Sequence, residues 1–268
     1  MSEILDNVYQ RLFLNRGVTH HISVLLAGAE HIGVSWCALS LAHALNLSRK
    51  KVLLIDGNGN FSNISTYMLL QNPLYLDDYF QKNKTVNQLV SAYKNIDFNI
   101  LTAKPGNNYL DELPLGRVHI FIDDLMNLLE PYEQTLIDLG TDINENSLAF
   151  CHIANNLIFI LSQKNSDLVK TFELIQLLHK KGVKAKYSLI INRANSFEDG
   201  YKIFKELSKA MDKNNLPLPQ LLGIIRNDTR VRDTIRNKEL LLSRYPTSEA
   251  AVDIKNIAQK LIGEQSND

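Results

Sequence analysis

Hydrophobic residues in this chain gather into short unbroken runs instead of alternating with polar ones. Ser23-Val24-Leu25-Leu26-Ala27, Val52-Leu53-Leu54-Ile55, Phe98-Asn99-Ile100-Leu101, Thr135-Leu136-Ile137, the stretches 157–161 and 221–225, and Leu189-Ile190-Ile191 each read as a strand. Runs without alternation imply strands buried on both faces, as in a parallel sheet. Apolar spacing of helical period fills the gaps, at 36–48, 85–94, 118–130, 145–155, 166–181, 197–213 and 248–262. Strand and helix alternating in this way predict an α/β fold: a doubly wound, mostly parallel β-sheet flanked by helices on both faces. No Pro-, Gly- or Ser-rich stretch divides the pattern, and no internal repeat is present. The expected organisation is an N-terminal arm at 1–20, a single α/β domain at 21–263 and a polar tail at 264–268.

Composition narrows the partners but not the chemistry. The chain has 268 residues, 45% of them hydrophobic and 22% charged, so it can bury a substantial core. Its 29 basic residues balance 29 acidic ones, which removes the bulk-charge argument for a nucleic-acid partner. Cys37 and Cys151 lie in apolar helical patterns without metal-ligand spacing, and are expected to be buried, reduced thiols. Neither a signal peptide nor an apolar run of about 18 residues is present, so the expectation is a cytoplasmic protein with no membrane-spanning segment.

Candidate chemistry begins at Gly28 to Ser35, which follows the first apolar run and precedes a helical pattern. Its frame is that of the phosphate-binding loop G-x-x-x-x-G-K-[ST], except that Val34 stands where the lysine belongs. The loop itself offers no cation and adds Glu30.

This loop, followed by Ser40-Leu41-Ala42-His43-Ala44-Leu45, resembles the "GKT…NLAHAL" opening of the MinD/ParA P-loop ATPases. Lys51 to Asn58 resembles their "VLLIDAD" segment, Asn63 fits the "LAN" that follows, and Leu136-Ile137-Asp138-Leu139-Gly140 resembles their "IDTGAG" switch. Three further segments look like the FlhG/FleN flagellar-number regulators: Ile191-Asn192-Arg193 with 198–204, Leu222 to Asp228 with Val231-Arg232, and Tyr245 to Ala251. The resemblance covers about residues 20–262 and implies, in active relatives, an ATP-driven sandwich dimer.

Departures from the family pattern fall on its charges. Two lysines serve the phosphates in active relatives; the matching residues here are Ala29 and Val34. A charge-assisted hydrogen bond is worth roughly 1.5–3 kcal/mol, so losing two costs on the order of 3–6 kcal/mol, or about two to four decades of affinity. The carboxylate that orients the attacking water in relatives is Asn58, and an amide cannot accept a proton from that water. Carried over by resemblance, Gly28, Gly33, Ser35 and Asn192 are the nucleotide-binding positions, with Asn192 against the base, and Ser35, Asp56 and Asp138 are the magnesium positions. Their plainer roles are a helix cap for Ser35, strand-end loops for the aspartates and a strand-end turn for Asn192. Arg226 replaces a proline in a wall of the base pocket. No catalytic residue is assigned. The leading expectation is no cofactor, with ATP and Mg at low affinity as the alternative.

The N-terminal arm carries Asp6-Asn7-Val8-Tyr9-Gln10-Arg11-Leu12, similar to the motif by which FlhG proteins engage the FlhF GTPase. Asp6, Val8 and Leu12 are therefore the candidate partner-binding residues, against a local packing role for the arm. The run 229–236 puts three arginines on a short helix, read as a solvated face, and His20-His21 is read as loop. Relatives that visit membranes carry a further amphipathic helix after the last one; this sequence ends at 263–268, and attachment through such a helix is not expected. The expected protein is a catalytically impaired FlhG/FleN-like regulator or scaffold in flagellar or polar cell-envelope assembly. Its partners would be an FlhF-like GTPase, a transcriptional activator, a basal-body component or a second copy. The alternative is an atypical Mg-ATP-dependent switch with its missing cation supplied by a partner or by Lys50 or Lys51.

Overall fold

The unbroken apolar runs become the buried strands of one sheet. The structure is a computed structural model and describes residues 20–59, 64–68, 70, 73–81, 84–93, 96–106, 109–141 and 143–264. The strands are β1 (His21–Leu26), β2 (Val52–Asp56), β3 (Ser91–Tyr93), β4 (Ile96–Thr102), β5 (Gln134–Gly140), β6 (Asn156–Leu161), β7 (Lys186–Ala194) and β8 (Gln220–Arg226). They lie in the order β3-β4-β2-β5-β1-β6-β7-β8, and every pairing is parallel except β3 with β4.

Residues of opposite parity on each strand feed two apolar layers. Ile22, Val24 and Leu26 of β1, with Leu53 and Ile55 of β2, face α6 (Leu115–Leu128), α7 (Glu145–Ile153), α8 (Asn165–Lys180) and α9 (Phe197–Lys213). Leu25, Val52, Leu54, Leu136 and Ile158 face α1 (Val34–Leu47) and α12 (Glu249–Glu264). The hydrophobic effect thus drives both faces, which is why the strands lack alternation. Shorter helices complete the chain: α2 (Ile64–Met68), α3 (Leu76–Gln81), α4 (Val86–Leu89), α5 (Tyr109–Glu112), α10 (Thr229–Asn237) and α11 (Leu241–Arg244). The two cysteines are free and buried, as expected. No described helix is long and apolar enough to cross a membrane.

Two expectations are corrected here. The segment 85–94 is not one helix. A capping box of Thr85 and Gln88 starts α4, but Val90 is already extended, and Ser91–Tyr93 forms the antiparallel edge strand against β4. Pairing with the sheet edge overrides a weak local helical period. His21 is not loop but the first residue of β1, opposite Gln134. The arm, with Asp6, Val8 and Leu12, and the tail at 265–268 lie outside the described residues, as does Asn63.

The chain order reverses at β1. From it the chain crosses over β5 to β2 on one side, while β6 lies on the other. A ligand crevice in a doubly wound sheet opens at the carboxyl ends of the strands, at such a switch point.

Candidate functional site

At that edge the loop 27–33 leaves β1 and enters α1. Ala27 donates to the Gly140 carbonyl at 2.9 Å, and Cys37 closes the first helical turn on Gly33 at 2.9 Å. Gly33, at φ 97°, is the N-cap, and no side chain caps the helix. Left-handed backbone of this kind favours glycine. Ser35 is not the cap: it lies inside α1, nearly buried, with its hydroxyl turned to Asp138. Gly28 has a different reason to be glycine. A Cβ there would sit 2.5 Å from the backbone of Lys170 and Thr171 on α8, so its role is close helix packing and it needs no phosphate to explain it. His31 takes φ 60°, an unusual strain for a residue with a side chain, and both it and Glu30 project into solvent.

Beneath the loop, Asp56 and Asp138 occupy paired positions on β2 and β5, and both are fully buried. Asp56 accepts from the Ile64 amide at 2.8 Å and the Asn58 amide at 3.3 Å, so it organises the loop after β2. Asp138 accepts from the Gly140 amide at 3.0 Å, while its Oδ2 has no partner among the described residues. Burial pushes Asp138 up to about 6 against the pull of hydrogen bonds from Ser35 and Gly140. Burial, then the charge of Asp138, raises Asp56 well above its ordinary range. An unpartnered, buried carboxylate oxygen beside a serine hydroxyl is a donor set that suits a magnesium ion. Asn58 lies across the same floor, its amide close against Gly140.

Asn192, at the end of β7, donates from Nδ2 to the Ile32 carbonyl at 2.7 Å and accepts at Oδ1 from the Arg193 amide at 2.9 Å. It latches the loop to the sheet across 160 residues of sequence. Lys50 is no substitute for the missing lysine. It pairs with Glu133 at 2.8 Å, and together with Lys51 it sits beyond the far end of α1, roughly 20 Å of helix from the loop.

The cation near the loop comes instead from Arg193. Its backbone is left-handed (φ 57°), and its Nη2 lies 3.7 Å from where a Cβ on Gly33 would stand. Sequence reasoning missed it because its neighbours come from the far end of the chain. The adjacency Asn192-Arg193 after an apolar run was the one available signal. Arg193 borders a cleft with Glu30, Lys164 and Asp167, and it also lines two further cavities. One, of about 360 Å³, is walled by the loop, Asn58, Gly140 and Thr141; the other, of about 320 Å³, by Trp36, Ile225, Val231 and Ile235. Gly33 and Tyr67 are shared by both. Arg226 borders the second cavity, but its guanidinium is held by Asp253 at 3.0 Å and Glu249 at 2.7 Å and stacks 4.6 Å over Phe197. Arg232 of α10 also faces this cavity.

A strand–loop–helix cradle, two paired buried aspartates and a second cavity beyond the loop define the architecture. The chain has the fold of the MinD/ParA P-loop ATPases and is FleN-like in sequence. It is 22% identical to the antiactivator FleN of Pseudomonas aeruginosa over 251 residues, covering 91% of this chain and 88% of FleN. The cell division ATPase MinD of Pyrococcus furiosus superposes with a TM-score of 0.76 at 16% identity, covering 91% of this chain and 99% of that one. MinD of Aquifex aeolicus gives 0.75 at 18% identity, covering 91% and 97%. No family model matches the chain. Against the P-loop frame, Ala29, Val34 and Asn58 line the first cavity where the resemblance implies two lysines and a carboxylate.

Proposed function

We propose that the chain is a non-hydrolysing, FleN-like regulatory protein that acts through protein contacts, in flagellar or polar cell-envelope assembly. The observation that supports this most directly is the phosphate cavity itself. The loop keeps its turn, but its lining has Val34 and Ala29 in place of cations, Glu30 at its mouth and Asn58 in place of a carboxylate. Phosphoryl transfer depends on neutralising charge and orienting the nucleophile, and these substitutions leave Arg193 as the cation of that lining and no carboxylate at position 58. If Mg-ATP binds at all, Ser35 and Asp138 hold the metal, which supplies charge neutralisation at the phosphates; Asp56 stays with its loop. Partners in this reading are an FlhF-like GTPase, a transcriptional activator, a basal-body component or a second copy meeting at the nucleotide face. The relative's name, antiactivator, speaks for a regulatory target in that protein. Recruitment from the cytoplasm to a pole belongs to the same reading.

The competing reading is a weak Mg-ATP switch, which Ser35, Asp138 and the nearby Arg193 favour. Phosphate release decides between them. With ATP and magnesium at protein concentrations above tens of micromolar, no phosphate above background is expected. Sustained release that disappears in Asp138→Ala overturns the proposal.

A further inference from the structure

Away from the crevice, the opposite edge of the sheet divides by charge. The chain reaches the amino ends of β6, β7 and β8 from the carboxyl ends of α7, α8 and α9. These three passages carry no carboxylate: Asp and Glu are absent from 146–166, 174–197 and 213–227. Between α8 and β7 stand Lys180, Lys181, Lys184 and Lys186, all exposed, around a turn at Gly182 with φ 77°. Lys213, also exposed, ends the neighbouring helix α9. The side chains of Lys180, Lys181 and Lys213 have no ion pair among the described residues, whereas Lys50 is held by Glu133 and Lys202 by Asp199. One apolar side chain joins them. Leu218 is 60% exposed, between Pro217 and Pro219. Ser188 pairs with Gln220, so the same parallel register brings Leu218 next to Lys186. Two prolines fix the backbone on either side, so holding this leucine in place costs little entropy.

The cationic strip has borders. Three parallel strands span two spacings of about 4.8 Å, so the strip is roughly 10 Å wide, the diameter of one helix with its side chains. Past β1, the approach to β5 carries Glu130 and Glu133. On the other side Asp212 stands next to Lys213. An anionic surface broader than the strip, such as a bilayer, meets these carboxylates as well and is repelled by them. Phosphates also offer Leu218 no apolar contact. We propose that the strip docks an acidic, amphipathic helix of a protein partner, with its carboxylates on Lys180, Lys181 and Lys213 and an apolar side chain on Leu218. The inference rests on the reading that the chain acts through protein contacts, and it names the chemistry of one of them. That contact lies at the end of the strands away from the phosphate loop, so it needs no nucleotide.

The test titrates the full chain, without nucleotide, into fluorescein-labelled helical peptides of about 16 residues. One carries glutamates and leucines along one face, a second has serines for the leucines, and a third has lysines for the glutamates. The first is expected to bind about fivefold or more tightly than the second, and the third not at all. Lys180→Glu with Lys181→Glu is expected to weaken the first about tenfold or more and to flatten its dependence on salt. Leu218→Ser is expected to lose about fivefold while leaving the salt dependence unchanged. Thermal melts of each variant without peptide separate loss of binding from loss of fold. No binding of the first peptide, equal binding of the second, or a folded lysine variant with unchanged affinity each overturns the proposal. So does tighter binding to phosphatidylglycerol vesicles or to short duplex DNA that the lysine variant abolishes, which would give the strip to a membrane or a nucleic acid. Phosphate release bears on the proposed function alone. Turnover beside peptide binding strikes that function and leaves the strip, whereas neither turnover nor peptide binding strikes the strip and leaves the function.

Discussion

His43 shows how a single residue is set by the layer that contains it. It is on α1, almost wholly buried, 6.4 Å from the Phe98 ring, and its Nδ1 has no partner among the described residues. Burial, and secondarily the charge of Lys255, lowers it from its ordinary 6.5 to about 4. The folded state therefore binds fewer protons than the unfolded chain between pH 4 and 6.5, so stability is full above 6.5 and falls as pH drops through that window. The upper limit of the loss at pH 4 is about 3 kcal/mol. The raised carboxyl of Asp138 works in the opposite sense, gaining stability as pH falls from about 6 toward 3.8. Urea melts of the parent and of His43→Gln at several pH values isolate the histidine. The stability difference between the two should shift toward the variant by roughly 2–3 kcal/mol between pH 7 and 4. A difference that stays flat with pH means that His43 protonates freely in the folded chain. Residue-scale roles of this kind were hard to read from sequence. The sequence placed Gly28 and Gly33 in the loop, but not the α8 backbone that excludes a Cβ from Gly28. Nor could it show Arg193, whose place beside Gly33 depends on β7 lying two strands from β1.

At the scale of elements the sequence was far more legible, and the reason is physical. A strand buried on both faces must be apolar throughout, so β1, β2, β5, β6 and β7 announced themselves, and α9 was read with the bounds it has in the structure, 197–213. β3 was not announced, because a three-residue edge strand needs little apolar character and follows directly on a capped helical turn. Contacts between elements were not legible either, and Arg226 is the clearest case. From the end of β8 it ties to Asp253 and Glu249 of α12 and stacks on Phe197 of α9, where the sequence suggested only an altered pocket wall. The Asp253 side chain is 1% exposed, so its carboxylate depends on that guanidinium. Removing one partner of a buried pair leaves an uncompensated charge, at a cost of about 3–5 kcal/mol, whereas replacing both by apolar groups is often close to neutral. Arg226→Met should therefore lose on the order of 3 kcal/mol of stability in denaturant melts. Arg226→Met with Asp253→Leu should recover most of it. Equal losses in the single and double variants would show that the stacking on Phe197, rather than the ion pair, holds α12 in place.

Across the whole molecule, the fold of the MinD/ParA P-loop ATPases carries Ala29, Val34 and Asn58 at the cavity beside its first loop. Loop turn, latch, paired aspartates and Ser35 occupy one edge of the sheet, and each is fixed by backbone hydrogen bonds or burial that no ligand supplies. If the scaffold suits a nucleotide, affinity for Mg-ATP should rise when cations are placed in the loop. Ala29→Lys and Val34→Lys with Glu30→Gly and His31→Gly rebuild the cationic, glycine-rich loop, and the glycines also relieve the left-handed strain at position 31. This variant should bind Mg-ATP at least about a hundredfold more tightly than the parent, as two charge-assisted contacts imply. Hydrolysis should stay at background, because the Asn58 amide can hold a water but cannot take its proton. Adding Asn58→Asp should then give measurable turnover, lost again in Asp138→Ala. The order matters more than the rate. Binding without turnover in the first variant, and turnover only in the second, would place the loss of function in these side chains. Val34 packs into the apolar layer under α1, so a melt of the first variant without ligand must accompany the titration. A folded variant that still ignores Mg-ATP would mean that the cradle has lost its geometry as well as its charge.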